Sequence, residues 1–249
     1  MQPIQFPVEG EVIRGTLHVP SETKGKVPGV LIIPGFADTA VGPHNLHVQM
    51  ARELCQQGFA VLRFDYRGQG ESDGEFVDFT IESGLADARA ALQFLAEQPE
   101  VDSDRLGVVG FSLGGMLAVQ LASETECVRA LSLLAPVAYP VKVFRSFFQA
   151  SHLQEIEQQG WTDWLGWKVG KGFLDGLDFL NPVESMKAVK AKTTLFHGTD
   201  DEEVPIENAH AFGVEVTWLD NGDHQFSSFK LKDAVIELTA DWFRRHVRN

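Results

Sequence analysis

Short, nearly unbroken apolar runs recur along the chain, and helical patterns separate many of them. Val30-Leu31-Ile32-Ile33, Ala60-Val61-Leu62-Arg63-Phe64, Leu106-Gly107-Val108-Val109-Gly110 and Ala130-Leu131-Ser132-Leu133-Leu134 are four such runs. Thr193-Thr194-Leu195-Phe196 and Val214-Glu215-Val216-Thr217-Trp218-Leu219 continue the series. A strand half exposed to water alternates apolar and polar residues, whereas one covered on both faces reads as a continuous run. Between the runs, Leu85, Ala88, Leu92 and Leu95 fall on one helical face, with Pro99 beyond them. A second helix is predicted after Ser112 and a last one over 230–246. Strands alternating with helices predict an α/β fold with a mostly parallel sheet between helices. Residues 10–20 precede the first run without a helix and predict an antiparallel hairpin at the sheet edge.

The rhythm stops at 136–192, which carries aromatic and helical fragments and no strand pattern. The expected organisation is one domain over 1–249 with 136–192 as a helical cap inserted in it. Phenylalanine is plentiful, at 18, and three of the 5 tryptophans fall in this segment. Trp161, Trp164 and Trp167, at spacing three, are expected to share one helical face. They line a substrate's acyl or aromatic group or, equally, glue the cap to the body.

Composition excludes several classes of function. With 21 basic and 35 acidic residues the net charge is −14, which repels nucleic acid and anionic membrane surfaces. The basic run Arg244-Arg245-His246-Val247-Arg248 closes the last helical pattern, where cations complement a helix C-terminus. No stretch is long and apolar enough to span a membrane. Two cysteines make no disulfide framework, and Met1-Gln2-Pro3-Ile4-Gln5 lacks the start of a secretory signal. A cytoplasmic setting is therefore expected. Homo-oligomerisation stays open.

The chemistry centres on Gly110-Phe111-Ser112-Leu113-Gly114-Gly115, between a predicted strand and a predicted helix. So abrupt a reversal exposes the central side chain at a helix N-terminus, and small neighbours let the backbones approach. The simpler alternative is a glycine-rich turn with an incidental serine. A nucleophilic serine needs a base, and the base needs an orienting carboxylate, in the chain order Ser, Asp or Glu, His. After the run at 193–196 come Asp200, Asp201, Glu202 and Glu203, of which Asp201 is the expected acid and Asp200 the alternative. After the run at 214–219, Asn221-Gly222-Asp223 leads to His224, the expected base. His44 and His47 stand near the first loop but in the wrong order. Two amides for an oxyanion are expected from Leu113 and from Phe36, in the loop Pro34-Gly35-Phe36-Ala37-Asp38.

These features resemble the α/β-hydrolase superfamily over nearly the whole chain outside the insertion. Asp65-Tyr66-Arg67-Gly68-Gln69-Gly70-Glu71-Ser72 is similar to its Asp-x-Arg-Gly-x-Gly-x-Ser loop, and Gly222-Asp223-His224-Gln225-Phe226 to its histidine loop. His197-Gly198 with Asp201 and Val204-Pro205 resembles its acid loop, a register that selects Asp201. The Asp73-Gly74 pair and the size of the insertion resemble bacterial feruloyl/cinnamoyl esterases, with serine-aminopeptidase-like hydrolases and monoacylglycerol lipases as neighbours. One departure is Pro34-Gly35 where many members have His-Gly; proline has no N–H to donate. The resemblance implies a cofactor-free, metal-free serine hydrolase that cleaves a small-molecule carboxylic ester through an acyl-enzyme. Peptide, thioester and glyceride bonds are the alternatives on the same residues, and a non-catalytic binding protein is a more distant one. Gly68-Gln69-Gly70-Glu71-Ser72-Asp73 has Asp where a dinucleotide loop needs its third glycine, and there is no phosphate loop or zinc-protease motif.

Overall fold

A computed structural model describes residues 1–21 and 25–247. Arg248 of the basic run lies outside the described residues.

The strands are β1 (Gln2–Val8), β2 (Glu11–His18), β3 (Val27–Ile33), β4 (Ala60–Phe64), β5 (Val101–Phe111), β6 (Val128–Leu134), β7 (Trp161–Trp164), β8 (Trp167–Gly170), β9 (Thr193–Gly198) and β10 (Val216–Leu219). The helices are α1 (Leu46–Gln56), α2 (Ile81–Ala96), α3 (Leu113–Ser123), α4 (Pro140–Ser146), α5 (Ala150–Gln159), α6 (Lys171–Asp175), α7 (Pro182–Val189), α8 (Glu207–Ala211) and α9 (Phe229–His246). Eight strands form one sheet in the order β1-β2-β4-β3-β5-β6-β9-β10. The strands from β4 to β10 in that order are mutually parallel, and β1 and β2 add an antiparallel edge hairpin. This is the α/β-hydrolase arrangement.

The two-residue period of the strands divides the apolar residues between two cores. Val30 and Ile32 of β3 point to the α1 and α9 side, with Leu54, Val235 and Phe243. Leu31 and Ile33 point to the other side, with Leu85 of α2, Leu117 of α3 and Met186 of α7. Helices on both faces are why these strands read as continuous apolar runs.

Residues 136–192 leave after β6 and contain more than helices. Trp161 and Trp164 lie on β7 and Trp167 on β8, an antiparallel hairpin in a small sheet of its own. The expected helical face is therefore corrected. Leu165 (φ 52°) and Gly166 (φ 86°) make a tight two-residue turn that places Trp164 opposite Trp167. Spacing three mimicked a helix because a two-residue turn separates the paired tryptophans. At the end of the segment α7 runs along α3, with Ser185 Oγ donating to Gln120 Oε1 at 2.6 Å. It supplies the helix that the parallel crossover from β6 to β9 requires, so only the stretch before it overhangs.

Candidate active site

The nucleophile candidate is presented by the end of β5. Ser112 sits at φ 54° and ψ −117°, between the last residue of β5 and the first of α3. The reversal needs bare backbone around it. A Cβ on Gly114 would run into the carbonyl oxygens of Ile33 and Pro34, and one on Gly115 would come within 2.7 Å of Pro136. Gly110 faces Gly114 O and Gly115 with the same lack of room. The Ser112 amide donates to Leu134 O at 2.9 Å, which ties the turn to the end of β6.

His224 arrives from the loop after β10 and Asp201 from the loop after β9. These loops meet where Gly198 packs on the Gly222 carbonyl, a contact that leaves no space for a side chain. His224 Nδ1 is 2.8 Å from Asp201 Oδ2, and its Nε2 is 3.0 Å from Ser112 Oγ. A carboxylate only accepts, so Nδ1–H donates to Asp201 and Nε2 is left to accept from the serine hydroxyl. All three side chains are buried. Asp201 Oδ1 accepts from the amides of Glu203 (3.1 Å) and Val204 (2.8 Å). His197 Nε2 donates to Val204 O at 2.8 Å and stands 3.3 Å from Asp201 Oδ2. Burial lowers the His197 pKa and so favours a neutral ring. Asp200, the alternative acid, is exposed and accepts from Thr199 Oγ1.

The other histidines near the first loop are engaged elsewhere. His44 Nε2 pairs with Ser227 Oγ, and fully buried His47 lies 3.3 Å from Thr39 O. Leu113 is the first residue of α3, where a helix leaves its amide without an internal partner. Neither its N–H nor that of Phe36 is donated to a protein acceptor among the described residues. The Phe36 ring is a junction: it stacks on Phe173 at 4.4 Å and meets Phe76, Phe144 and Trp164 at 5.4–5.5 Å.

A cavity of about 250 Å³ opens on Ser112 and His224, walled by Phe36, Phe111, Phe147 and Trp164 and rimmed by Asp38 and Glu203. Of the three tryptophans only Trp164 lines it. Its Nε1 donates to Phe147 O at 3.1 Å and its ring stacks on Phe147. Trp167 packs on Phe76, 4.5 Å between centroids, and Trp161 carries Lys168 on its ring. Those two serve the contact between segment and body and the hairpin itself, and neither reaches the cavity. Phe147 had no motif to mark it and is found only by where the chain folds; Asp38 and Glu203 lie in loops the sequence marks, but nothing in those motifs places them at the cavity rim. A wider groove of about 680 Å³ between α4 and α7 contains none of the candidate residues in its wall. Among the described residues no group of three or more His, Cys, Asp or Glu converges as metal ligands would, and no helix is long and apolar enough to cross a membrane.

Comparison with known proteins places this geometry in context. The family described as X-Pro dipeptidyl-peptidase (S15 family) matches residues 9–169. Palmitoyl-protein thioesterase ABHD10, mitochondrial, of Mus musculus is 30% identical over 218 residues, covering 81% of this chain and 70% of its own. Among solved structures, Est1E from Butyrivibrio proteoclasticus with bound ferulic acid superposes with a TM-score of 0.80 at 23% identity, covering 96% of this chain and 98% of that one. The mouse alpha/beta hydrolase domain-containing protein 10 gives 0.79 at 25% identity, covering 98% and 99%.

Proposed function

The chain belongs to the X-Pro dipeptidyl-peptidase (S15) family of α/β-hydrolases, and from that premise we propose that it is a serine esterase acting on short-chain or aryl carboxylic esters. The observation that carries the proposal is the unbroken line from Asp201 through His224 to Ser112 Oγ, opening into an aromatic cavity.

In this reading Ser112 Oγ attacks the ester carbonyl while His224 Nε2 takes its proton. Asp201 holds the imidazole in the required tautomer and stabilises the imidazolium. The negative charge that gathers on the carbonyl oxygen is met by the Leu113 and Phe36 amides, at the positive end of α3. His224 then delivers its proton to the leaving alcohol, and a water repeats the sequence on the acyl-enzyme. The stretch of 136–192 before α7 acts as a cap whose aromatic side chains exclude water. The cavity is smaller than the roughly 300–1,000 Å³ of a drug-sized pocket, which favours a compact acyl group. Both cysteines are unpaired, as suits a reducing compartment, and our reading keeps the protein in the cytoplasm, whereas the mouse relative is named as mitochondrial.

A second reading, thioester hydrolysis, is favoured by the name of that relative. The two are separated by turnover of p-nitrophenyl acetate and butyrate and methyl ferulate beside acetyl and palmitoyl thioesters. We expect the short esters to lead, and Ser112→Ala to lower their turnover by about 10³-fold or more while staying folded. Undiminished turnover by the folded variant would overturn the proposal.

A further inference from the structure

The loop that carries the Phe36 amide is gripped at both ends by the end of β4 and the residues that follow it. At its start, Tyr66 Oη donates to Pro34 O at 3.0 Å, and Tyr66 is fully buried. At its end, both polar backbone groups of Ala40 are bound by buried charged side chains. The Ala40 N–H donates to Asp65 Oδ1 at 2.6 Å, and Arg63 Nη1 donates to the Ala40 carbonyl. Asp65 is fixed in turn by the Glu71 amide on its other oxygen, and Ser72 Oγ donates to the Asp65 carbonyl. Arg63 is backed by His18 Nε2, 3.2 Å from two of its nitrogens.

We infer that Arg63, Asp65 and Tyr66 are positioning residues for the oxyanion loop, setting where the Phe36 amide stands relative to Ser112. Burying an arginine and a carboxylate is costly unless each is fully hydrogen-bonded, and here each gives one of its bonds to the backbone of the same residue, Ala40, at the end of this loop. The Pro34 carbonyl lies against the bare Cα of Gly114, so the Tyr66 bond also fixes the loop against the helix turn that bears Leu113. The Tyr66 hydroxyl thus holds by its acceptor the one position, Pro34, that has no amide of its own to anchor. The inference rests on the oxyanion role given to Phe36.

An oxyanion donor acts on the transition state more than on bound substrate. Tyr66→Phe should therefore lower kcat for p-nitrophenyl acetate about 10- to 100-fold with KM within about threefold. It should weaken phenylboronic acid, a mimic of the tetrahedral adduct, by a similar factor. Arg63→Met, at the other end of the loop, should move the same quantities in the same direction, and Arg63→Lys should restore part of the loss. A folded Tyr66→Phe with unchanged kcat, or a loss carried by KM alone, overturns the inference. Amide exchange on the wild type judges the grip independently of activity and of whether the variants fold: Ala40 N–H should exchange only with global unfolding, and exchange at the rate of an open turn overturns it. An inactive wild type would instead count against the esterase reading, leaving the grip to the exchange result.

Discussion

Ser112 is held at φ 54° and ψ −117° by the strand before it and the helix after it. A side chain there costs on the order of 1–3 kcal/mol relative to a relaxed backbone. Ser112→Gly and Ser112→Ala should both be inactive, yet they should differ in stability, because glycine adopts the conformation freely and alanine does not. We expect the glycine variant to unfold at a free energy about 1 kcal/mol above the alanine variant, or about 2–4 °C higher in Tm for a chain of this size. Denaturant titration of the pair measures this, and equal stabilities would mean that the strain is no larger than the ~0.4–1 kcal/mol by which glycine favours the unfolded chain. At this scale much was legible. Ser112 and His224 stood out as candidates because a nucleophile and its base must follow given strands, and the acid-loop register of the family resemblance pointed to Asp201, the carboxylate that meets His224. Phe147 and Asp38 were not, since lining a cavity requires no particular neighbours in sequence.

Between β7 and β8 the chain makes a hairpin whose turn is Leu165-Gly166. Turns of this kind usually announce themselves as Asn-Gly or Asp-Gly; a leucine at positive φ gives no such signal, which is why the tryptophan spacing read as helix. The body's strands, by contrast, were legible because burial on both faces demands apolar residues throughout. The hairpin's consequence is selective: it turns Trp164 toward Ser112 and leaves Trp161 and Trp167 elsewhere. Trp164→Ala should therefore open the acyl side of the cavity. We expect kcat/KM for p-nitrophenyl octanoate to rise relative to the acetate by about tenfold, since one to three methylenes' worth of burial is about 1–3 kcal/mol. Trp161→Ala should leave that ratio alone. A ratio moved equally by both substitutions would show that the hairpin acts as a block and that no single ring shapes the pocket. Phe36 joins this element to the proposed reaction, because the residue whose amide we assign to the oxyanion is also the one that Phe144, Trp164 and Phe173 pack upon.

Across the whole molecule, one polar chain runs from the outer hairpin toward the candidate site: His18 on β2, Arg63 on β4, and Ala40 in the loop of Phe36, the proposed oxyanion donor. His18 is the part of that chain that titrates. Burial, with Arg63 beside it, lowers its pKa from 6.5 to about 4. The unfolded chain takes up this proton near pH 6.5 and the folded chain resists until about 4. The stability contributed by keeping the ring neutral is thus complete above pH 6.5 and is lost as pH falls toward 4. Two carboxyls oppose it: burial pushes Asp87 up to about 6 and raises Asp65, so both favour the folded state as the solution is acidified. The total slope mixes these contributions, and a variant isolates the one of interest. His18→Gln keeps an acceptor for Arg63 and cannot titrate. Whatever the stability difference between wild type and this variant at pH 7.5, it should move against the wild type by about 3 kcal/mol on descent to pH 4, two and a half pKa units at 1.36 kcal/mol each. Urea unfolding of both proteins at half-unit steps reads it directly. A difference that stays constant across the range would mean that His18 is protonated in the folded state as readily as in the unfolded one. Such a ring could not accept from Arg63, and the link from the sheet edge to the Phe36 loop would have to be redrawn.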